Sequence, residues 1–288
     1  MGERMGAGLS SGTDRPGRHL PRRDAPIGSL TGGLSERLRL RPTRGGTIRG
    51  RDRRVDGLTF AATIEQAAAG LSRRGMCLGD VVGVLAPVSP ERFLATYTVM
   101  AVGGRALPLC PSTPTEDQAA ALGATDARLV LADADHTEAA QELAERSRVR
   151  QIISFGDSRG ATPFEELLLP SPDGSGYNPS RGLFDNGVLG YETTPEGLLT
   201  TLYPHNDLLA RFTDLRDHLG LAPEDVVAVE DGADEPTGTA LVASALWMGA
   251  CVVAGSDCPP PEGRCVTVRC GRGAPVRVAP PESSAGAF

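Results

Sequence analysis

The chain has 288 residues and a formal net charge of −7, and 40% of its residues are hydrophobic, which is typical of a globular protein. All 29 basic residues are arginine, so no lysine is present to form a Schiff base or to bind a phosphate. No apolar run reaches the roughly 18 residues that span a bilayer, and the N-terminal residues lack the apolar stretch of a secretory signal. We therefore expect no membrane association and a cytoplasmic location.

The N-terminal part is basic, whereas the remainder is acidic. Residues 1–54 carry 13 arginines against five acidic residues, and the rest carries 16 arginines against 31. Because residues 1–56 are rich in Gly, Arg, Ser and Pro without sustained periodicity, we predict a disordered arm. A contact with nucleic acid is a second interpretation, disfavoured because no aromatic residue lies between the arginines. A mitochondrial transit segment is a third interpretation.

After the arm, apolar runs alternate with stretches of helical period. The first helix is predicted over 59–75. Ser89 and Pro90 indicate the start of a second helix, and Thr113 and Glu116 indicate a capping box at the start of a third. Further strands are predicted at 80–86, 105–111, 128–132, 151–155, 188–191, 224–231 and 251–255, and further helices at 135–147, 164–168, from about 206 to 219, and at 238–250.

This alternation predicts the fold class. Strands separated by helices of about ten to fifteen residues are typical of βαβ units, and continuous Val, Leu and Ile runs suit strands covered on both faces. We predict an α/β domain over 57–255, with a mainly parallel sheet flanked by helices. Residues 256–288 are rich in Pro, Gly, Arg and Cys and are predicted to form an irregular tail.

Three of the six cysteines, Cys258, Cys265 and Cys270, lie in this tail. Their spacing differs from the paired C-x-x-C of zinc sites, so we assign no metal site to them. Without a secretory signal, we expect all six cysteines to be reduced.

Several short motifs resemble a known family. They are Leu58-Thr59-Phe60, Gly79-Asp80-Val81-Val82, Ser89-Pro90-Glu91, and Gly103-Gly104 followed by Pro108-Leu109 and Pro111. Their order and spacing are similar to the N-terminal region of the adenylate-forming (AMP-binding) superfamily, which includes acyl-CoA synthetases, 4-coumarate–CoA ligases, peptide-synthetase adenylation domains and luciferases. The resemblance covers about 57–255 and implies the first subdomain of such an enzyme.

The resemblance implies ATP-dependent activation of a carboxylate, with Mg²⁺ and then coenzyme A as the acceptor. The family holds the ATP phosphates in a loop like Ser-Ser-Gly-Thr-Thr-Gly-x-Pro-Lys-Gly, with a His at the start of the next helix. The matching stretch here is GYETTPEGLLTTLYPHN at 190–206. It keeps Thr193, Thr194, Gly197 and His205, but Glu196 replaces the lysine and the flanking glycines are absent. These five residues are the candidate phosphate-binding region.

Because the lysine and the family's later motifs have no counterpart, we expect the chain to be a degenerate and truncated member without catalytic residues of its own. ATP, Mg²⁺ and coenzyme A are implied by the family alone. One alternative is an interaction or regulatory module that pairs with a full-length synthetase or another protein, and a second is a gene fragment without selected function. The abundance of Arg, Ala, Gly and Pro is typical of a GC-rich, bacterial source.

Overall fold

The computed structural model describes residues 29–41, 46–170, 187–262 and 264–278. Within these ranges the chain forms helices and two sheets. The helices are α1 Leu30–Leu40, α2 Gly57–Arg73, α3 Pro90–Ala101, α4 Thr115–Ala124, α5 Thr137–Arg146, α6 His205–Leu219 and α7 Glu235–Met248, with short 3₁₀ turns at Ala134–His136 and Phe164–Leu168. None of the helices in the described ranges combines the length and the apolar character needed to cross a bilayer.

The strands follow the predicted alternation. They are β1 Thr47–Arg49, β2 Arg54–Asp56, β3 Val81–Leu85, β4 Arg105–Leu109, β5 Leu129–Ala132, β6 Gln151–Ser154, β7 Thr162–Pro163, β8 Gly187–Thr194, β9 Gly197–Pro204, β10 Val226–Val229, β11 Cys251–Ala254, β12 Val268–Cys270 and β13 Val276–Arg277. The seven-stranded sheet has the order β7-β6-β5-β3-β4-β8-β9, and the six-stranded sheet has the order β13-β12-β10-β11-β1-β2.

Both sheets are mostly parallel, which confirms the predicted fold class, although the strands divide into two sheets. In the larger sheet every neighbouring pair is parallel except β8 and β9. In the smaller sheet the central pairs are parallel and each edge pair is antiparallel. Parallel strands need crossover helices, and these helices cover the apolar faces.

One apolar core joins the two sheets through helices α3 and α7. Helix α7 is buried along most of its length because its residues are apolar on every side. Tyr97 on α3 is fully buried, packs edge-to-face on Phe60, and donates its hydroxyl to the Thr239 carbonyl of α7 at 2.7 Å. This contact satisfies the one polar group of a large buried side chain.

The helix starts follow local chemistry at most positions. Ser89 caps α3 as predicted, since its hydroxyl accepts from the Arg92 N–H. The capping box predicted at Thr113 and Glu116 is wrong: α4 begins at Thr115 without a side-chain cap. The physical reason is that Pro114 has an extended ψ of 140° and occupies the N-cap position itself, where its side chain offers no hydrogen-bond acceptor.

Regular structure extends beyond the predicted 57–255. Helix α1 and strands β1 and β2 lie in the segment predicted to be a disordered arm, and β12 and β13 lie in the predicted irregular tail. Both predictions are wrong for these residues. Helix α1 buries Leu30, Leu34 and Leu38, whose spacing of four places them on one face. The remaining predictions for 1–28, for most of the 170–187 loop, and for 279–288 lie outside the described residues.

Candidate functional site

The stretch that resembles a phosphate loop is a β-hairpin. Strands β8 and β9 pair without interruption, from Gly187 with Pro204 to Thr194 with Gly197. Only Pro195 and Glu196 connect them, in a two-residue turn. The family's open loop therefore has no counterpart within 190–206, because the backbone groups of these residues take part in a sheet.

The turn uses residues of the candidate phosphate-binding region. The Thr194 hydroxyl donates to the Gly197 carbonyl at 2.9 Å and accepts from the Glu196 N–H at 3.3 Å. Gly197 has a φ of +129°, which favours glycine over any side chain. Glu196 is exposed at the tip, and Thr193 is exposed on the neighbouring strand. The Thr-x-x-Gly spacing thus closes a turn here.

His205 does not join this group. It begins α6, directly after Pro204, at the opposite end of the hairpin from Gly197. Seven residue steps separate Gly197 from Pro204, which at a rise of about 3.3 Å per residue is about 23 Å. The structure therefore brings Thr193, Thr194, Glu196 and Gly197 together and leaves His205 far from them.

His205 has a structural contact instead. Its ring is buried, and Nε2 accepts from the Leu30 N–H at 2.9 Å, so it satisfies one of the free amides at the start of α1. The neutral ring must then carry its proton on Nδ1, which is buried without a hydrogen-bond partner among the described residues. Burial lowers the pKa of His205, and the neighbouring Asn206 side chain opposes this shift.

We expect acid to weaken the folded protein through His205. Below its ordinary pKa of about 6.5 the unfolded chain binds a proton that the folded chain excludes. The free energy of unfolding therefore falls as the pH decreases towards the folded pKa, with a slope of up to about 1.4 kcal/mol per pH unit. Denaturant titrations at about pH 7.5 and 5.5 should give a smaller difference for His205→Gln than for the natural chain.

His218 offers the matched control, because it lies exposed on the same helix. His218→Gln should keep the pH dependence of the natural chain. An unchanged pH dependence in His205→Gln would contradict the assignment of this effect to the buried ring.

A cleft of about 430 Å³ lies beside the hairpin, between β9, the segment that leads into α4, and the start of α7. Among the described residues, its walls carry one arginine, Arg92, and four acidic residues, Asp117, Glu192, Asp234 and Glu235. The electrostatic field in this cleft therefore favours cations over phosphate groups.

The arginine of this cleft, Arg92, is already paired. The Arg92 side chain is only 5% exposed, forms an ion pair with Glu235, and donates to the Ala86 carbonyl at 2.6 Å. A buried ion pair neutralises its own charges, so Arg92 offers little attraction to an incoming anion. No pattern in the sequence predicted that Arg92 would be buried against Glu235.

A second cleft of about 570 Å³ lies where strands of both sheets end. Ligands of open α/β sheets bind at such carboxyl ends. The described residues that line it include two arginines, Arg51 and Arg53, and seven carboxylates: Asp52, Glu91, Asp133, Asp135, Glu165, Asp231 and Asp257. Burial raises the pKa of Asp133, although His136 lies 2.5 Å from its carboxylate and opposes this shift.

Neither a metal centre nor a disulfide is built from the described residues. Among them, no three His, Cys, Asp or Glu side chains are placed to hold a metal ion. The six cysteines are unpaired, and burial raises the pKa of Cys270 to about 11, so this side chain stays a neutral thiol.

A model of the AMP-binding enzyme family matches residues 40–180. This part of the chain is similar to that family. The match confirms the resemblance drawn from the motifs between Leu58 and Pro111, and the hairpin at 187–204 lies outside the matched range. The match therefore covers the first βαβ units and does not reach the hairpin.

Curated relatives match parts of the chain. The chain is 26% identical over 206 residues to tenellin synthetase of Beauveria bassiana (strain ARSEF 2860), which covers 67% of this chain and 4% of that protein. It is 33% identical over 69 residues to a component of the plipastatin synthase of Bacillus subtilis (strain 168), which covers 24% of this chain and 3% of that protein. The chain thus spans a small fraction of either relative.

Solved structures establish the fold. A candidate long-chain-fatty-acid CoA ligase from Rhodopseudomonas palustris superposes with a TM-score of 0.67 at 23% identity, over 79% of this chain and 57% of that one. A luciferase-like enzyme from the nonluminescent mealworm Zophobas morio gives 0.67 at 17% identity, over 80% and 54%. The chain spans little more than half the length of these enzymes, so the superposition shows a shared fold and assigns none of their activities to this chain.

Proposed function

We propose that this chain uses the adenylate-forming fold without activating carboxylates, and that it serves as a non-catalytic interaction module. The observation that carries the proposal is the tight turn at 194–197, in the stretch whose sequence resembles the family's phosphate loop. A loop that holds ATP phosphates needs free backbone N–H groups that converge on the anion. Here the Glu196 N–H is bonded to the Thr194 hydroxyl, and the flanking strands are paired.

The charge around the hairpin supports the same proposal. Glu196 is exposed at the tip, and the adjacent cleft has four carboxylates beside the already paired Arg92. Two like charges about 4 Å apart repel by roughly 4 kcal/mol at an effective dielectric constant of about 20. Because the whole sequence lacks lysine, no flexible ammonium group is available to offset that repulsion.

The role as an interaction module is supported by strand β9. It lies at the edge of the seven-stranded sheet and has two exposed leucines, Leu199 and Leu202. Open edges bind other strands through unpaired backbone groups, a common mode of protein recognition. We propose that this edge, rather than either acidic cleft, is the functional surface of the chain.

The experiment is ATP–pyrophosphate exchange by the purified chain with a panel of carboxylic acids, next to an active acyl-CoA ligase. We expect no exchange above background, and calorimetry with ATP, AMP and an acyl-CoA should show no saturable heat. Glu196→Lys should stay inactive, since the added cation does not reopen the turn. Exchange by the natural chain would overturn the proposal.

A further inference from the structure

Strand β9 lacks the devices that usually protect a sheet edge. Residues 197–203 read Gly-Leu-Leu-Thr-Thr-Leu-Tyr, without a charged side chain or a proline, and the proline of the strand, Pro204, is its last residue. The pairing with β8 continues without a bulge, so nothing twists the strand away from a partner. Edges of this kind pair with other chains unless charges, prolines or bulges prevent it.

The register of the hairpin fixes which backbone groups are open. A two-residue turn makes Thr194 and Gly197 a hydrogen-bonded pair, and such pairs recur at every second residue of an antiparallel ladder. Residues 197, 199, 201 and 203 therefore bond to β8. The N–H and C=O groups of Leu198, Thr200 and Leu202 point away from β8, towards the open edge.

We propose that two copies of this chain pair antiparallel through β9, with a two-fold axis at Thr200. In this register Leu198 lies opposite Leu202 of the second copy, Leu202 lies opposite Leu198, and the two Thr200 residues face each other. The outward-pointing N–H and C=O groups of Leu198, Thr200 and Leu202 then all find partners, which joins the two seven-stranded sheets into one. The inference names the partner of the interaction module and so rests on the proposed function.

The side chains favour a second copy as the partner. Leu198, Thr200 and Leu202 share one face of the strand, so the two-fold axis creates two cross-strand leucine pairs on either side of a threonine pair. Leu202 is 38% exposed in the single chain and would be covered. A register centred on Thr201 is poorer, because it places Leu198 opposite Pro204, which has no N–H.

The charges agree with the antiparallel direction. Pairing in this direction keeps the two exposed Glu196 side chains at opposite ends of the interface, whereas parallel pairing would bring them together. It also places Glu196 opposite Pro204 of the second copy, next to Tyr203.

The test is analytical ultracentrifugation of the full chain over a wide concentration range. We expect a reversible monomer–dimer equilibrium, which Thr200→Lys should abolish by placing two ammonium groups face to face on the axis. Thr193→Lys is the matched control, because Thr193 is exposed on the inner strand of the same hairpin, and it should leave the dimer intact. A natural chain that stays monomeric, or a dimer insensitive to Thr200→Lys, would overturn the inference.

Thr200→Cys gives an independent readout of the register. A hydrogen-bonded antiparallel pair places its Cα atoms about 5.5 Å apart, within the range of a disulfide. Mild oxidation should link two copies through this residue, as identified by peptide mapping, and a link solely through the native cysteines would contradict the register. Exchange assays on the same samples separate the two proposals: a monomer without exchange refutes only the dimer, whereas a dimer with exchange refutes only the lack of catalysis.

Discussion

Glu235→Ala is expected to lower the free energy of unfolding by about 3 kcal/mol, the lower end of the range for breaking a buried ion pair. The Arg92 side chain is only 5% exposed. After the substitution, the hydrogen-bond partner that its guanidinium keeps among the described residues is the Ala86 carbonyl. A charge that is taken out of water without a counter-ion pays its desolvation cost in full. Glu235 itself is 31% exposed, so water entering the cleft relieves part of this cost.

Urea titration measures this effect, with Glu142→Ala as the matched control. Glu142 pairs with Arg146 one turn along α5, and both side chains are 46% exposed. An exposed helical pair of this kind contributes about 0.3–0.5 kcal/mol. Equal losses in the two variants would contradict the larger contribution assigned to the buried pair between α3 and α7. The double variant Arg92→Met with Glu235→Leu should regain much of the stability, because no charge is then buried.

Two helical glycines should respond in opposite directions to the same substitution. At Gly70 on α2 an added Cβ would lie 2.4 Å from the Leu167 carbonyl oxygen and 2.6 Å from the Leu167 Cα. These are backbone atoms that cannot rotate away, so Gly70→Ala forces α2 apart from the 3₁₀ turn at 164–168. Overpacking of this kind costs about 1–3 kcal/mol and occasionally more.

Gly123 on α4 is the control, because an added Cβ meets nothing within 4 Å there. Gly123→Ala should stabilise the protein by about 0.5–1 kcal/mol, since alanine loses less backbone entropy in a helix. The melting temperatures of both variants, compared with that of the natural chain, test these two expectations. A Gly70→Ala variant that melts at or above the natural chain would show that α2 and the 3₁₀ turn are not in close contact.

The alternation of strands and helices could be predicted from the sequence because each element carries its own signal. Strand β3 is a continuous apolar run, and Ser89-Pro90 is a strong start for α3. The division into two sheets could not be predicted, since strand order depends on contacts between distant residues. Helix α1 was missed because its three buried leucines lie in an arginine-rich segment whose composition suggested disorder.

The candidate site was predicted in part. Thr193, Thr194, Glu196 and Gly197 do lie together, as their adjacency in sequence requires. The hairpin was missed because the Thr-Thr-Pro-x-Gly pattern resembles a loop motif. The same residues also fit a hairpin, since two strands separated by two residues, with a glycine directly after the turn, favour one. The burial of His205 could not be foreseen, because its partner, the Leu30 N–H, is 175 residues away in sequence.

ATP–pyrophosphate exchange is the measurement that tests the central claim most directly, because it detects adenylation itself without depending on a second substrate such as coenzyme A. The turn at 194–197, with Glu196 at its tip, predicts no exchange with any carboxylic acid, in the natural chain and in Glu196→Lys alike. Saturable, acid-dependent exchange by the natural chain would contradict the claim, since it would require the hairpin to open into a loop that holds the phosphates.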